Sequence, residues 1–171
     1  MRRWIAGATL ALGCVAALPA AAVDREDVMR PCKRADLIGV WRVLRLGVTG
    51  GGALDRTDPA FLPHQRYVFH SNATMAHATQ DVPFTADEQR ALLKTPTTAT
   101  WAMETEGRLV RQRDGAAVVD RADCRVILHP VKDPKTSQPT AQVGDILLTD
   151  EGADRRPTAR RLLRKIRGLA D

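Results

Sequence analysis

The side chains able to do chemistry are few and scattered. Four histidines, His64, His70, His77 and His129, are the candidate bases, and three cysteines, Cys14, Cys32 and Cys124, are the candidate nucleophiles. Cys124 and His129 lie five residues apart in one apolar run, so a regular strand turns them to opposite faces and leaves the cysteine without a base. His70 and His77 flank a turn and would approach a shared metal only in one register; a structural or surface role is the expected one. Asp120 and Asp123 sit in a polar turn, where paired carboxylates are solvated. No Gly-x-Ser-x-Gly, phosphate loop or His-Glu-x-x-His occurs. The residues give no catalytic constellation, and the expectation is a protein that is not an enzyme and uses no metal or cofactor.

Cysteine usage points to a compartment. Arg2 and Arg3 precede an apolar run over residues 4–18, Pro19 breaks it, and Ala20-Ala21-Ala22 offers the small residues that a signal peptidase needs. A cleaved signal peptide over residues 1–22 is expected. Three alternatives stay open: an uncleaved anchor, lipid attachment at Cys14 within Leu12-Gly13-Cys14, and twin-arginine export. Removing the leader takes Cys14 with it and leaves Cys32 and Cys124, an isolated pair that reads as one disulfide in an oxidising periplasmic or extracellular setting. The formal net charge of +6 falls to +4 with the loss of Arg2 and Arg3. The remaining excess is crowded into the last segment, at Arg155, Arg156, Arg160, Arg161, Arg164, Lys165 and Arg167. Scarce aromatic residues argue against a nucleic-acid-stacking surface.

The elements that would position these residues are mostly short strands. Residues 23–36 form a polar lead-in, helical at first and ended by Pro31. A strand follows over residues 37–48, apolar on both faces near its start. The connection over residues 49–65 carries Leu54, Phe61 and Leu62, enough apolar surface to fold over something. Residues 66–70 and 74–79 read as a hairpin in which Asn72 takes the left-handed conformation. Thr85 and Glu88 form a capping-box pattern that opens a helix running to Lys94, with Pro96 stopping it. Strand-like runs return at 97–104, 109–112, 116–119, 124–129 and 146–149, with turns at Glu106-Gly107 and Asp114-Gly115 and a second long loop at 131–143. In the last segment Ala159, Leu162, Leu163, Ile166 and Leu169 fit a helical stripe, and local propensity favours a helix over a strand.

Many short strands joined by tight turns suggest an antiparallel barrel or sandwich. Within the first strand, Gly39-Val40-Trp41 resembles the Gly-x-Trp of the lipocalins and their bacterial lipocalin-like, calycin-type relatives. The layout of residues 37–171 is similar too. The resemblance implies an all-β, antiparallel up-and-down barrel of eight or nine strands with one short helix. It implies that Trp41 lies at the closed end and that a late arginine, Arg164 or Arg161, packs over it. It also tips the last segment towards strand. Counting nine runs places the long loops at 49–65, 80–96 and 131–143 at one end, and the turns near Asn72, Gly107 and Glu151 at the other, together with Cys32 and Cys124.

The expected function is to bind a small hydrophobic molecule inside the barrel, with Tyr67, Phe69, Met75, Trp101 and Met103 as lining and Leu54, Phe61 and Leu62 as lid. The same residues would equally serve as a filled core with no cavity. The other class of function is docking of the basic C-terminal segment on an anionic membrane or an acidic partner, against which stands a merely solvated strand face.

Overall fold

The computed structural model describes residues 25–168 apart from Gly52. The expected leader, its cleavage site near Ala22, Cys14 and Leu169 lie outside the described residues. After a helical turn α1 (Arg25–Val28), the strands run β1 (Met29–Pro31), β2 (Gly39–Val48), β3 (His64–Phe69), β4 (Thr74–Gln80), β5 (Ala99–Met103), β6 (Arg108–Arg113) and β7 (Val119–Ile127). The series ends with β8 (Val131–Lys132), β9 (Pro139–Ala141), β10 (Ile146–Glu151) and β11 (Pro157–Lys165). Strands β2, β3, β4, β5, β6, β7, β10 and β11 follow one another around a closed ring, each antiparallel to its neighbours, and β11 returns to β2. This is the up-and-down barrel of eight strands. β8 and β9 form a separate hairpin, and β1 pairs with β7 beyond the point where β6 ends.

Several local expectations need correction. Residues 116–118 are the tail of the Asp114-Gly115 turn, and β7 is a single strand whose ladders to β6 and β10 run without a break. The loop over 128–145 therefore emerges at the closed end of the barrel, and the turn over 152–156 joins the loops at 49–63 and 81–98 at the mouth. At the hairpin it is Ala73, not Asn72, that takes the positive φ, of 69°. Asn72 instead accepts hydrogen bonds from the backbone N–H and the hydroxyl of Thr74 through Oδ1. Pro31 ends the strand β1 rather than a helix, and Leu37 closes a one-turn helix α2 (Arg34–Leu37) rather than opening β2. The last segment is strand, because β11 finds partners on both sides, β10 and β2, and satisfied ladders override helix propensity.

Two apolar layers hold the barrel. Trp41, Phe69, Trp101, Leu109, Ile146, Leu148 and Leu163 fill the interior near the closed end. Leu37 plugs this layer from α2, and its carbonyl accepts a 2.7 Å hydrogen bond from the Trp41 indole N–H. The second layer lies outside the wall. Val40, Val68 and Ala76 are covered by Leu92, with Phe84, Leu93 and Ile166 around them. These residues flank α3 (Ala86–Ala91), whose expected capping box is present between Thr85 and Glu88. Val40 and Trp41 face opposite layers, which is why β2 is apolar on both faces at its start.

The closed end is tied in three further ways. The Cys32–Cys124 disulfide joins the segment between β1 and α2 to β7. Gly107, at φ +80°, packs so tightly there that a Cβ would stand 2.6 Å from the Cys124 carbonyl oxygen. Gly39, at φ +123°, lets the Lys165 side chain cross it, and the Lys165 ammonium sits 5.7 Å from the Trp41 ring centroid. The cation over the tryptophan is thus Lys165. Arg164 points away from that ring and makes a two-armed ion pair with buried Asp145, at 2.8 and 2.6 Å, while Arg161 faces the barrel interior. Strand alternation explains the exchange: Lys165, Leu163 and Arg161 share one face of β11, and Arg164 lies on the other.

A charged cup at the mouth of the barrel

The upper part of the barrel is open because two ladders stop early. β2 pairs with β3 only over Gly39–Arg42, and β4 pairs with β5 only through Thr74 and Met75. Above these points the strands splay, leaving a cup of about 690 Å³. Its floor is Tyr67, Met75 and Ala99, resting on the closed-end core. One part of the rim is Asp58–Ala60 of the loop between β2 and β3.

Inward positions that are apolar near the floor become charged above it. On β6 the inward series is Leu109, Arg111, Arg113; on β10 it is Ile146, Leu148, Asp150; on β11 it is Leu163, Arg161, Ala159. Asp150 accepts from Arg111 at 2.8 Å and also pairs with Nη1 of Arg161. These side chains are 14, 13 and 6 % exposed, respectively. Ala122 and Ala159 stand opposite Asp150 on the two neighbouring strands, and their small side chains leave room for the guanidiniums to converge. Burial holds the Arg161 pKa below the usual guanidinium value, and the charge of Arg111 adds to that effect.

A second network anchors the rim. Buried Gln65 donates through Nε2 to the carbonyls of Ala60 and Leu62, at 3.0 and 2.9 Å. Its amide oxygen must then accept, so His77 carries the proton on Nε2 in the 3.2 Å contact between them. His77 stacks on Tyr67 with ring centroids 4.2 Å apart. Burial, followed by the charges of Arg161, Arg111 and Arg113, pushes the His77 pKa down to about 3, so the ring is neutral near pH 7. Arg161 also donates to the Ala60 carbonyl at 3.0 Å and lies 5.9 Å from the Phe61 ring centroid.

The residues expected to form the lining are divided between two regions. Tyr67 and Met75 line the cup. Phe69 and Trp101 are buried in the closed-end core, in edge-to-face contact at 5.3 Å, and Met103 packs against that core half-buried. Leu54, Phe61 and Leu62 belong to the rim loop as half-buried residues, but the loop faces the cup through Asp58, Pro59 and Ala60. His70 lies in the turn after β3 at the closed end, so the structure does not bring it to His77. Gln65, Arg111 and Asp150 go unrecognised as site residues in the sequence, which offers His77 only as a base or metal ligand and Arg161 only as a cover for Trp41. Period-two alternation past Leu109 and Leu148 is the signal that would have found Arg111 and Asp150. Family models, curated proteins and solved structures give no match to this chain.

Proposed function

We propose that this protein is an exported, lipocalin-like binding protein that holds a small molecule in the open end of its barrel and is not an enzyme. The observation that carries the reading is the cup: a cavity of about 690 Å³, open at one end, above a packed floor. Ligand sites commonly have volumes of about 300–1,000 Å³ and combine apolar contact with a few placed polar groups. Export is supported by the leader-like residues 1–22 and by a disulfide that needs an oxidising compartment. The Gly39-Val40-Trp41 arrangement, with a cation over the indole at a closed end, supports the lipocalin-like assignment. The sequence points to a small hydrophobic ligand; the floor suits one, whereas the walls are charged. Native mass spectrometry of protein purified from a periplasmic extract tests the reading. A retained small molecule, lost in Ala99→Phe, which sets a ring on the floor of the cup, is the expected result. A spectrum of bare protein in repeated preparations, with no small molecule able to rescue the mass shift, would sink it.

A second reading has its own observation. Register places Arg42 and Arg45 of β2 beside Arg164 and Leu162 of β11, and Arg160 lies further along the same outer face. This basic strip would dock on an anionic membrane surface. Sedimentation with phosphatidylglycerol vesicles but not with phosphatidylcholine vesicles is the result it requires.

A further inference from the structure

Four arginines and four acids line the cup, and they are unevenly placed with depth. At the rim, Arg113 and Asp120 face each other at 3.8 Å, both well exposed, and Arg121 stands in register with Glu151, whose Oε2 is buried without a hydrogen-bond partner. Asp58 accepts from the backbone N–H of Ala60, and its charge acts on Arg161. Below them, Arg111 and Arg161 share the carboxylate of Asp150. His77 beside them is neutral and contributes no charge of its own. Two guanidiniums therefore face one carboxylate in a poorly solvated wall, where the charge of each acts against the other. Neither guanidinium has used its full donor set, since Nε of Arg111 and Nε of Arg161 are buried without a hydrogen-bond partner. Both side chains line the cavity.

We infer that the ligand of the cup is a small organic anion whose acidic group lies against Arg111 and Arg161. The inference rests on the reading of the cup as a ligand site and adds its chemical class. A carboxylate or a phosphate supplies the same chemistry: a planar or tetrahedral oxyanion accepting from guanidinium N–H groups, with its charge offsetting the repulsion between the two arginines. The volume of about 690 Å³ far exceeds an inorganic ion, so the acid is carried on an organic body. That body rests on Tyr67, Met75 and Ala99 and meets the hydroxyl-bearing side chains of Thr79 and Thr98 on the side where β4 and β5 have parted.

The test uses two dyes of similar ring structure on the full oxidised protein, 8-anilinonaphthalene-1-sulfonate and uncharged N-phenyl-1-naphthylamine. The sulfonate is expected to bind about tenfold or more tightly than the uncharged dye. Arg111→Gln leaves the Arg161–Asp150 pair neutral, and it should weaken sulfonate binding about tenfold without changing binding of the uncharged dye. Asp150→Asn removes the carboxylate that the two arginines share and should tighten sulfonate binding; a merely disrupted cup would weaken in both variants. Arg160→Gln, on the outer face, should change nothing. Benzoate or phenyl phosphate should displace the sulfonate while benzyl alcohol does not, the tighter of the two acids showing which oxyanion the site prefers. Equal affinity for both dyes, unaltered by Arg111→Gln, overturns the anion and leaves the cup as a binding site. Failure of both dyes to bind overturns the cup itself.

Discussion

Gly39, Trp41 and Lys165 show how much of the closed end depends on three side chains, one of them absent. Trp41 is 2 % exposed and gives its N–H to Leu37, so Trp41→Ala removes a large buried ring from a layer that cannot easily collapse. The expected loss is about 3–5 kcal/mol by denaturant unfolding. A loss within a few tenths of a kcal/mol would mean that Trp41 is not core. Gly39→Ala meets two obstacles: a φ of +123° and a Lys165 Cε only 2.7 Å from the new Cβ. The lysine end can swing aside, so the backbone conformation should dominate, at about 1–3 kcal/mol. His77 makes a prediction of a different kind. Its folded pKa of about 3 lies below the ordinary 6.5, so between those values the unfolded chain binds more protons than the folded one. Stability should therefore fall as pH drops from about 6.5 towards 3, and be unaffected by His77 above that window. Carboxylates contribute their own slope at the acid end, so the informative quantity is a difference. His77→Gln retains a donor for Gln65 but does not titrate. Its melting temperature should drop less than that of the parent between pH 7 and pH 4.5; parallel decreases would refute the buried neutral histidine.

Elements whose signals are local were legible in the sequence, and those made by distant partners were not. The start of α3 was readable because Thr85 and Glu88 satisfy each other within one turn. β1 was not, since three residues gain strand character only by pairing with Ile127, Val126 and Arg125 almost a hundred positions away. β11 carries helix-forming residues but lies between two strands, and its pairing decides the outcome. The charged wall of the cup was hidden for another reason. Arginine and aspartate in a strand read as solvent-facing, although the alternation set by Leu109 and Leu148 turns Arg111 and Asp150 inwards. The rim loop, residues 49–63, illustrates the same long-range dependence. Gln65 secures it from β3 by donating to Ala60 and Leu62. Gln65→Leu keeps the volume and takes the donor from the Leu62 carbonyl, while Ala60 keeps Arg161, at a cost of about 1–3 kcal/mol where water cannot reach. The loop should open before the barrel does. Trypsin cleavage after exposed Arg56 should become several-fold faster while the melting temperature moves little. An unchanged cleavage rate would show that Gln65 is not the anchor.

At the scale of the molecule, the packed core and the open cup are placed at opposite ends. The closed end has the packed tryptophans, the Leu37 plug and the disulfide, which spans a sequence separation of 92. By the chain-entropy model such a crosslink stabilises by about 4–5 kcal/mol, an upper figure where the unfolded chain keeps structure. The mouth has unfinished ladders, a half-buried loop and converging charges, none of which the closed-end core needs in order to pack. The two ends should therefore be separable by mutation. Paired Cys32→Ala and Cys124→Ala should lower the melting temperature markedly, yet in the folded fraction the affinity for an anionic dye should stay within about twofold, because neither sulfur lines the cup. Ala99→Phe should do the reverse. Its new ring enters existing empty space, so melting should change by only a few degrees while dye binding is lost. Calorimetry and fluorescence titration on the same two proteins decide the matter. If both variants lose stability and affinity in proportion, the cup is held in shape by the closed end. If each loses only its own property, the barrel is a rigid base with an independently adjustable mouth, and residues such as Arg113, Thr79 and Thr98 can vary to suit a ligand without unfolding the chain.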